Sequence, residues 1–167
     1  QDGNGYLVKV IPNDTNEFQC QNITSFMSNS IKSCTFIPGE PAVITQGSDK
    51  KIALSSFASN MKSFPEKLLL EDSTSINLNI TPISCDMPNH ESIEEPFISA
   101  VGYSNGLFKI FSIIPSEKKL DLIFQSRPHE DPIIRIKFSA DGSYLCTCTK
   151  KEIFLFLVEQ YDKISPI

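Results

Sequence analysis

The 167-residue chain has no tryptophan, only two histidines and no Cys-x-x-Cys pair. Structural zinc sites draw on four closely spaced Cys or His ligands, so no metal is expected. The five cysteines (Cys20, Cys34, Cys85, Cys146 and Cys148) are odd in number and follow no framework spacing. That argues against a disulfide-stapled secreted domain and for free thiols in a reducing compartment. Cys146 and Cys148 lie two apart on one face of a strand and are expected to be buried. Basic charge is scarce, with 15 Lys and Arg against 20 Asp and Glu and a net charge of −5. Nucleic acid is therefore not an expected partner, because binding it relies on cations that neutralise phosphates. The lysine pairs Lys50–Lys51, Lys118–Lys119 and Lys150–Lys151 read as solvated turn tips.

Long apolar runs are missing too. The longest, Ile153–Val158, has six residues, far below the ~18 of a membrane-crossing helix, so no membrane insertion is expected. We expect no nucleophile elbow, phosphate-cradling Gly-rich loop or His-Glu-x-x-His site. His90 and the carboxylates Glu91, Glu94 and Glu95 fall in one acidic stretch, where solvation is the expected state and a raised pKa is not. On these grounds no catalytic residue and no cofactor is expected, and the chain is not read as an enzyme. It opens on Gln1-Asp2-Gly3 without Met, so we expect a piece of something longer.

What is present is alternation. Ile76, Leu78 and Ile80 alternate with polar residues, as do Leu120, Leu122 and Phe124, although Ile123 breaks the polar side. Ile134, Ile136 and Phe138 repeat the pattern, which is that of strands with one buried face. Phe97–Val101, Leu107–Ile114 (with Lys109 and Ser112 inside it) and Ile153–Val158 are apolar on both sides and must be covered on both. Ser59–Leu70 has weak helical spacing that Pro65 interrupts. Asn105-Gly106 and Asp141-Gly142 are strong hairpin dipeptides, because Gly, Asn and Asp accept the positive φ of tight turns.

These strands repeat. One unit runs Ile31–Phe36, a Pro/Gly turn, Ala42–Thr45, Gly47-Ser-Asp49, Lys51–Leu54; the last runs Ile134–Phe138, Ser-Ala-Asp-Gly142, Tyr144–Thr147, Thr149–Lys151, Ile153–Phe156. A third lies between, with Phe97–Val101, Gly102–Gly106 and Phe108–Phe111, lengthened by an acidic insert at 88–96. Four strands in roughly 50 residues is the period of β-propeller blades. We expect an all-β fold of antiparallel four-stranded blades, a single partial propeller over 1–167 with about three and a half blades, a fragment of a larger one. The divisions are 1–12 (the end of a blade), 17–70, 74–125 with its insert at 88–96, and 129–167. Glu91, Ile93, Glu94 and Glu95 of the insert form the candidate partner-contact loop.

From about residue 5 to residue 158 the pattern resembles the WD-repeat (WD40) β-propeller family. His129 matches the family's His before the first strand and Asp49 its turn Asp, although they sit in different units. The other structural blade positions are Asp141, Gly142, Asn105, Gly106, Phe36, Phe111, Phe138 and Phe156. The last unit carries Lys150 or Lys151 at the Asp position. With no Trp in the chain, Phe57, Phe111 and Phe156 fall near its place, and Phe111, Phe138 and Phe156 are expected in the core. The resemblance implies a non-catalytic scaffold that joins other proteins. Within the family, the ending from His129 to Ile167 is similar to the large ciliary WD-repeat proteins of the inner-arm dynein tether type. That likeness implies a structural component of the axoneme that positions dynein on doublet microtubules, with tubulin and dynein-associated subunits as partners and a cytoskeletal location in cilium or flagellum. The alternative is a propeller subunit of a vesicle-coat, nuclear-pore or other regulatory complex.

Overall fold

The computed structural model describes residues 6–10, 18–22, 30–38, 42–56, 67–73, 80–89 and 96–167. Strands β1 (Tyr6–Val10) and β2 (Phe18–Asn22) form an antiparallel pair. Three four-stranded antiparallel sheets follow, each a meander whose strand order in space equals its order in the chain. Blade I is β3 (Ile31–Phe36), β4 (Ala42–Gly47), β5 (Lys51–Ser56) and β6 (Lys67–Glu71). Blade II is β7 (Pro82–Asp86), β8 (Phe97–Tyr103), β9 (Phe108–Ile114) and β10 (Lys119–Ser126). Blade III is β11 (Arg135–Phe138), β12 (Tyr144–Cys148), β13 (Ile153–Gln160) and β14 (Lys163–Pro166). The first strands β3, β7 and β11 approach one another from sheet to sheet, as they do around a propeller axis.

Two boundaries differ from the sequence reading. Strand β2 pairs with β1 and not with β3, so a blade drawn from residue 17 takes in a strand of the preceding unit. Residues 67–70 of the weakly helical stretch belong to strand β6, paired with β5. The apolar run Leu68–Leu70 can bury one face of a strand, whereas Pro65 removes a donor that a helix would need.

The core lies between sheets. Ala42, Ile44, Ile52 and Leu54 of blade I meet Phe97, Val101, Phe111 and Ile113 of blade II. The opposite face of blade II, with Ile98, Ala100, Phe108 and Ile110, meets Ile136, Leu145, Phe156 and Val158 of blade III. Successive side chains of a strand point to opposite faces, so the middle blade must be apolar on both, which is why β8 is buried throughout. The break at Ile123 has a structural cause. Strand β10 bulges between Leu122 and Phe124, so Leu120 and Leu122 pack toward blade I while Ile123 and Phe124 pack toward blade III. One extra residue turns the apolar stripe to the other face.

Turn chemistry follows the sequence at Gly106 (φ +80°) and Gly142 (φ +72°), both in the left-handed region. A Cβ at Gly106 would lie 1.9 Å from the carbonyl oxygen of His129. The chain between blades II and III therefore crosses directly over this turn, where Arg127 Nε donates to the Asn105 carbonyl at 2.9 Å.

Candidate functional site

The strongest polar groupings lie at the blade junctions. After β6, Asp72 is buried beside Lys109 of β9, with Nζ 2.8 Å from Oδ2 and side chains 1% and 3% exposed for Lys109 and Asp72. The Tyr103 hydroxyl donates to the same Oδ2 at 2.8 Å. The Lys109 ammonium also stands 5.1 Å from the Tyr103 ring centre and 5.9 Å from that of Phe111. A buried ammonium is tolerated only with such company.

One blade later the same place has other chemistry. His129, in the connection after β10, is buried, with Nε2 2.8 Å from Thr147 Oγ1 and Nδ1 3.2 Å from Glu152 Oε2. A carboxylate only accepts, which assigns the donating N–H to Nδ1 and leaves Nε2 to accept from the Thr147 hydroxyl in the neutral ring. Phe154 meets the imidazole edge-on at 4.7 Å. The ring that contacts His129 is thus Phe154, two residues before Phe156, and its acidic partner is Glu152, the residue after Lys151. In both junctions a residue following a fourth strand contacts the third strand of the next blade. A further link joins β7 to β11: Asp86 accepts from Lys137 Nζ at 2.5 Å and from the Phe138 backbone N–H at 2.8 Å.

The remaining sequence-marked positions are local. Asp49 is half-buried in the β4–β5 turn, where Oδ1 accepts the Lys51 N–H at 3.4 Å. Asn105 Oδ1 accepts the Leu107 N–H at 3.2 Å. Asp141 accepts from Ser139 Oγ at 2.5 Å and from Ser143 Oγ and N at 2.7 and 3.2 Å, and these bonds pull its carboxyl down to about 2. Phe111 and Phe156 are core, whereas Phe138 is half-buried against Tyr161. Phe36 is 62% exposed. Strand alternation places it with Lys32 and Cys34, and Ile37 takes the core position by folding back through its N–H to the Ala42 carbonyl. Cys146 and Cys148 are free and share a face, but they are half-buried because that face of blade III is open. Cys85 is buried, and burial pushes its thiol up to about 11. Phe57, His90, Glu91, Ile93, Glu94 and Glu95 lie outside the described residues.

The expectation of no nucleophile elbow needs correction at the level of pattern. Gly102-Tyr103-Ser104-Asn105-Gly106 spells Gly-x-Ser-x-Gly. An elbow needs a strand-to-helix turn, and here the five residues join two antiparallel strands, with Ser104 Oγ accepting the Thr81 N–H at 2.9 Å. Among the described residues no three His, Cys, Asp or Glu gather as metal ligands, and no helix is long and apolar enough to cross a membrane. On the loop side of blade III a hollow of about 240 Å³ is lined by Asp131, Pro132, Ile134, Lys150 and Lys151. Lys151 pairs there with Asp131 at 2.7 Å.

No protein-family model and no curated protein matches the sequence. Among solved structures, 319 chains match in fold, so the likeness marks a widely used architecture. One is Sqt1 from Chaetomium thermophilum, 19% identical with a TM-score of 0.65, matched over 93% of this chain and 37% of that one. The chain therefore spans little more than a third of that protein. At such identity the likeness carries the fold alone: the described residues form three stacked WD40-like β-propeller blades of four strands, with a further antiparallel pair.

Proposed function

We propose that the protein is a non-catalytic scaffold whose blades present loops and faces to other proteins. The observation that carries this reading is how its reactive side chains are employed. Asp72, Lys109, Asp86 and His129 are buried at junctions and bonded to neighbouring blades, strands or backbone. Groups engaged in this way hold the stack together and do not face an open cleft. The hollow at Ile134 and Lys150 lies below the ~300–1,000 Å³ typical of small-molecule sites, and its size suits a side chain of a partner protein. Loops on a rigid β scaffold are free to vary for such contacts.

The finer reading places the scaffold in the ciliary axoneme, in contact with tubulin and dynein-associated subunits. Its support is the likeness of His129–Ile167 to the large ciliary WD-repeat proteins. The acidic insert at 88–96 is the proposed contact loop. Detergent extraction of ciliated cells followed by salt steps tests it: the protein stays with doublet microtubules, and affinity isolation recovers tubulin and dynein chains. Recovery in the membrane-vesicle or nuclear-envelope fraction with coat or pore subunits would sink the ciliary reading and favour the alternative propeller complexes.

A further inference from the structure

The hollow on the loop side of blade III has a fixed floor. Ile133, buried in the core, donates its N–H to the Tyr103 carbonyl at 3.1 Å, and Ile134 donates to the Cys148 carbonyl at 2.9 Å. Pro132 and Ile134 are thereby held at the surface, with Ile134 38% exposed. The facing wall is the turn between β12 and β13. There Oγ1 of the buried Thr149 accepts the N–H groups of Lys151 and Glu152 at 3.1 and 3.0 Å, and the Thr149 N–H donates to the Glu152 carbonyl at 2.9 Å. Both walls are set before anything binds, which lowers the ordering cost of association.

The charges around the hollow are unevenly answered. Lys151 pairs with Asp131 at 2.7 Å, and Glu152 faces His129 Nδ1 at 3.2 Å. Lys150 is exposed, lines the same hollow and enters no ion pair among the described residues. The lining thus sets two cations and one anion around the apolar Pro132 and Ile134, on a chain whose net charge is −5. We propose that the hollow takes one aliphatic side chain of a partner protein with a single carboxylate beside it. The aliphatic group rests on Pro132 and Ile134, and the carboxylate pairs with Lys150. This site rests on the scaffold reading and names the chemistry of its partner. About 240 Å³ has room for these two groups and too little for a drug-sized molecule. One carboxylate is also the limit. Asp131 is in the lining and the exposed Glu130 adjoins it in the chain, so an acidic run or a dianionic phosphate meets repulsion there as well as attraction.

Ligand-observed NMR titrations of short capped peptides against the full-length protein test the site. The probe is a glycine–serine heptapeptide with one leucine followed by one aspartate at its centre. Alanine in place of the leucine should weaken binding about tenfold, since the buried aliphatic surface is lost. Asparagine in place of the aspartate should weaken it roughly two- to fivefold at low salt, the range of a partly exposed ion pair, and the difference should shrink as salt is added. Lys150→Gln should reproduce that loss with the aspartate peptide and change nothing with the asparagine peptide, and Lys150→Arg should restore it. No binding of the aspartate peptide, or an equal effect of Lys150→Gln on both peptides, would overturn the proposal. Inorganic phosphate that displaces the peptide at equal concentration would overturn the assignment of the occupant. Failure of the peptides while partner proteins are still recovered with the intact protein sinks this site and leaves the scaffold reading standing.

Discussion

Removing the Asp72 carboxylate leaves the Lys109 ammonium buried with aromatic faces and without the anion 2.8 Å away. Breaking a buried pair from one side typically costs about 3–5 kcal/mol, so Asp72→Ala should lie in that range. Lys109→Met should fall at its lower end, because the Tyr103 hydroxyl still donates to the abandoned carboxylate. The double variant Asp72→Ala/Lys109→Met leaves no charge to strand. It should cost no more than about 2 kcal/mol, since an apolar replacement of a buried pair is often close to neutral. The coupling between the two sites is then at least about 3 kcal/mol in a double-mutant cycle. The assay is urea unfolding followed by far-UV circular dichroism, which suits a chain without tryptophan, at low concentration and with m-values compared. Two single variants that each cost less than about 1 kcal/mol, or that simply add, would refute a buried and mutually dependent pair.

The core assignments separate phenylalanines that look alike in sequence. Phe111→Ala and Phe156→Ala should each cost about 3–5 kcal/mol, while Phe36→Ala should stay within about 0.5 kcal/mol as an exposed substitution; thermal unfolding of the three variants checks the order. Gly106→Ala should unfold blade II locally, because its Cβ would occupy the space of the His129 carbonyl oxygen, whereas at Gly142 the nearest atom is Pro88 Cβ at 3.3 Å. Hydrogen exchange should show Gly142→Ala as the milder change, with strain from its φ of the order of 1–3 kcal/mol. Asp141 should titrate near 2 against an ordinary value of 3.8. A lowered folded value means that its hydrogen bonds support the β11–β12 turn above pH about 4 and are lost as pH falls through about 2. Carboxyl NMR should show this, and Ser139→Ala should raise the value.

The strands and their tight turns were legible because their causes are local. Alternation of apolar and polar residues marks a strand wherever one face is buried, and Asn105-Gly106 and Asp141-Gly142 mark hairpins by the φ their glycines accept. Other features lay beyond such reasoning. Phe36 and Ile37 are adjacent and both apolar, and the chain's turn back to Ala42 decides which one enters the core. The irregularity at Ile123 could be seen, but a bulge is one of several ways to produce it. The junction groups are hidden in the sequence for a different reason. Asp72 and Lys109 are 37 residues apart and Asp86 and Lys137 are 51 apart, and nothing local in either pair announces the other. His129 is legible as a His ahead of a first strand, while Thr147, Glu152 and Phe154 are ordinary strand and turn residues in sequence that meet it only in the fold.

The junctions also account for a fold that is plain in three dimensions and faint in sequence. Each blade connection has to bury a few polar groups where the chain leaves one sheet and enters the next, and burial requires only that those groups be bonded. An Asp–Lys–Tyr set meets the requirement between blades I and II, and a His–Thr–Glu set meets it between II and III. The two solutions share a location and no residue type. A sequence pattern that records one set of side chains will pass over the other, while the packing of sheets on either side is the same in kind. If location is what matters, exchanging the solutions is tolerable only as whole sets. Lys109→Phe should destabilise the first junction by stranding Asp72, and Lys109→Phe combined with Asp72→His should recover part of the loss by letting an imidazole meet a ring, as His129 meets Phe154. Recovery in urea midpoint by the pair, and not by Asp72→His alone, is the expected result. Equal stability of the single and paired variants would show that each junction is tied to its own residues.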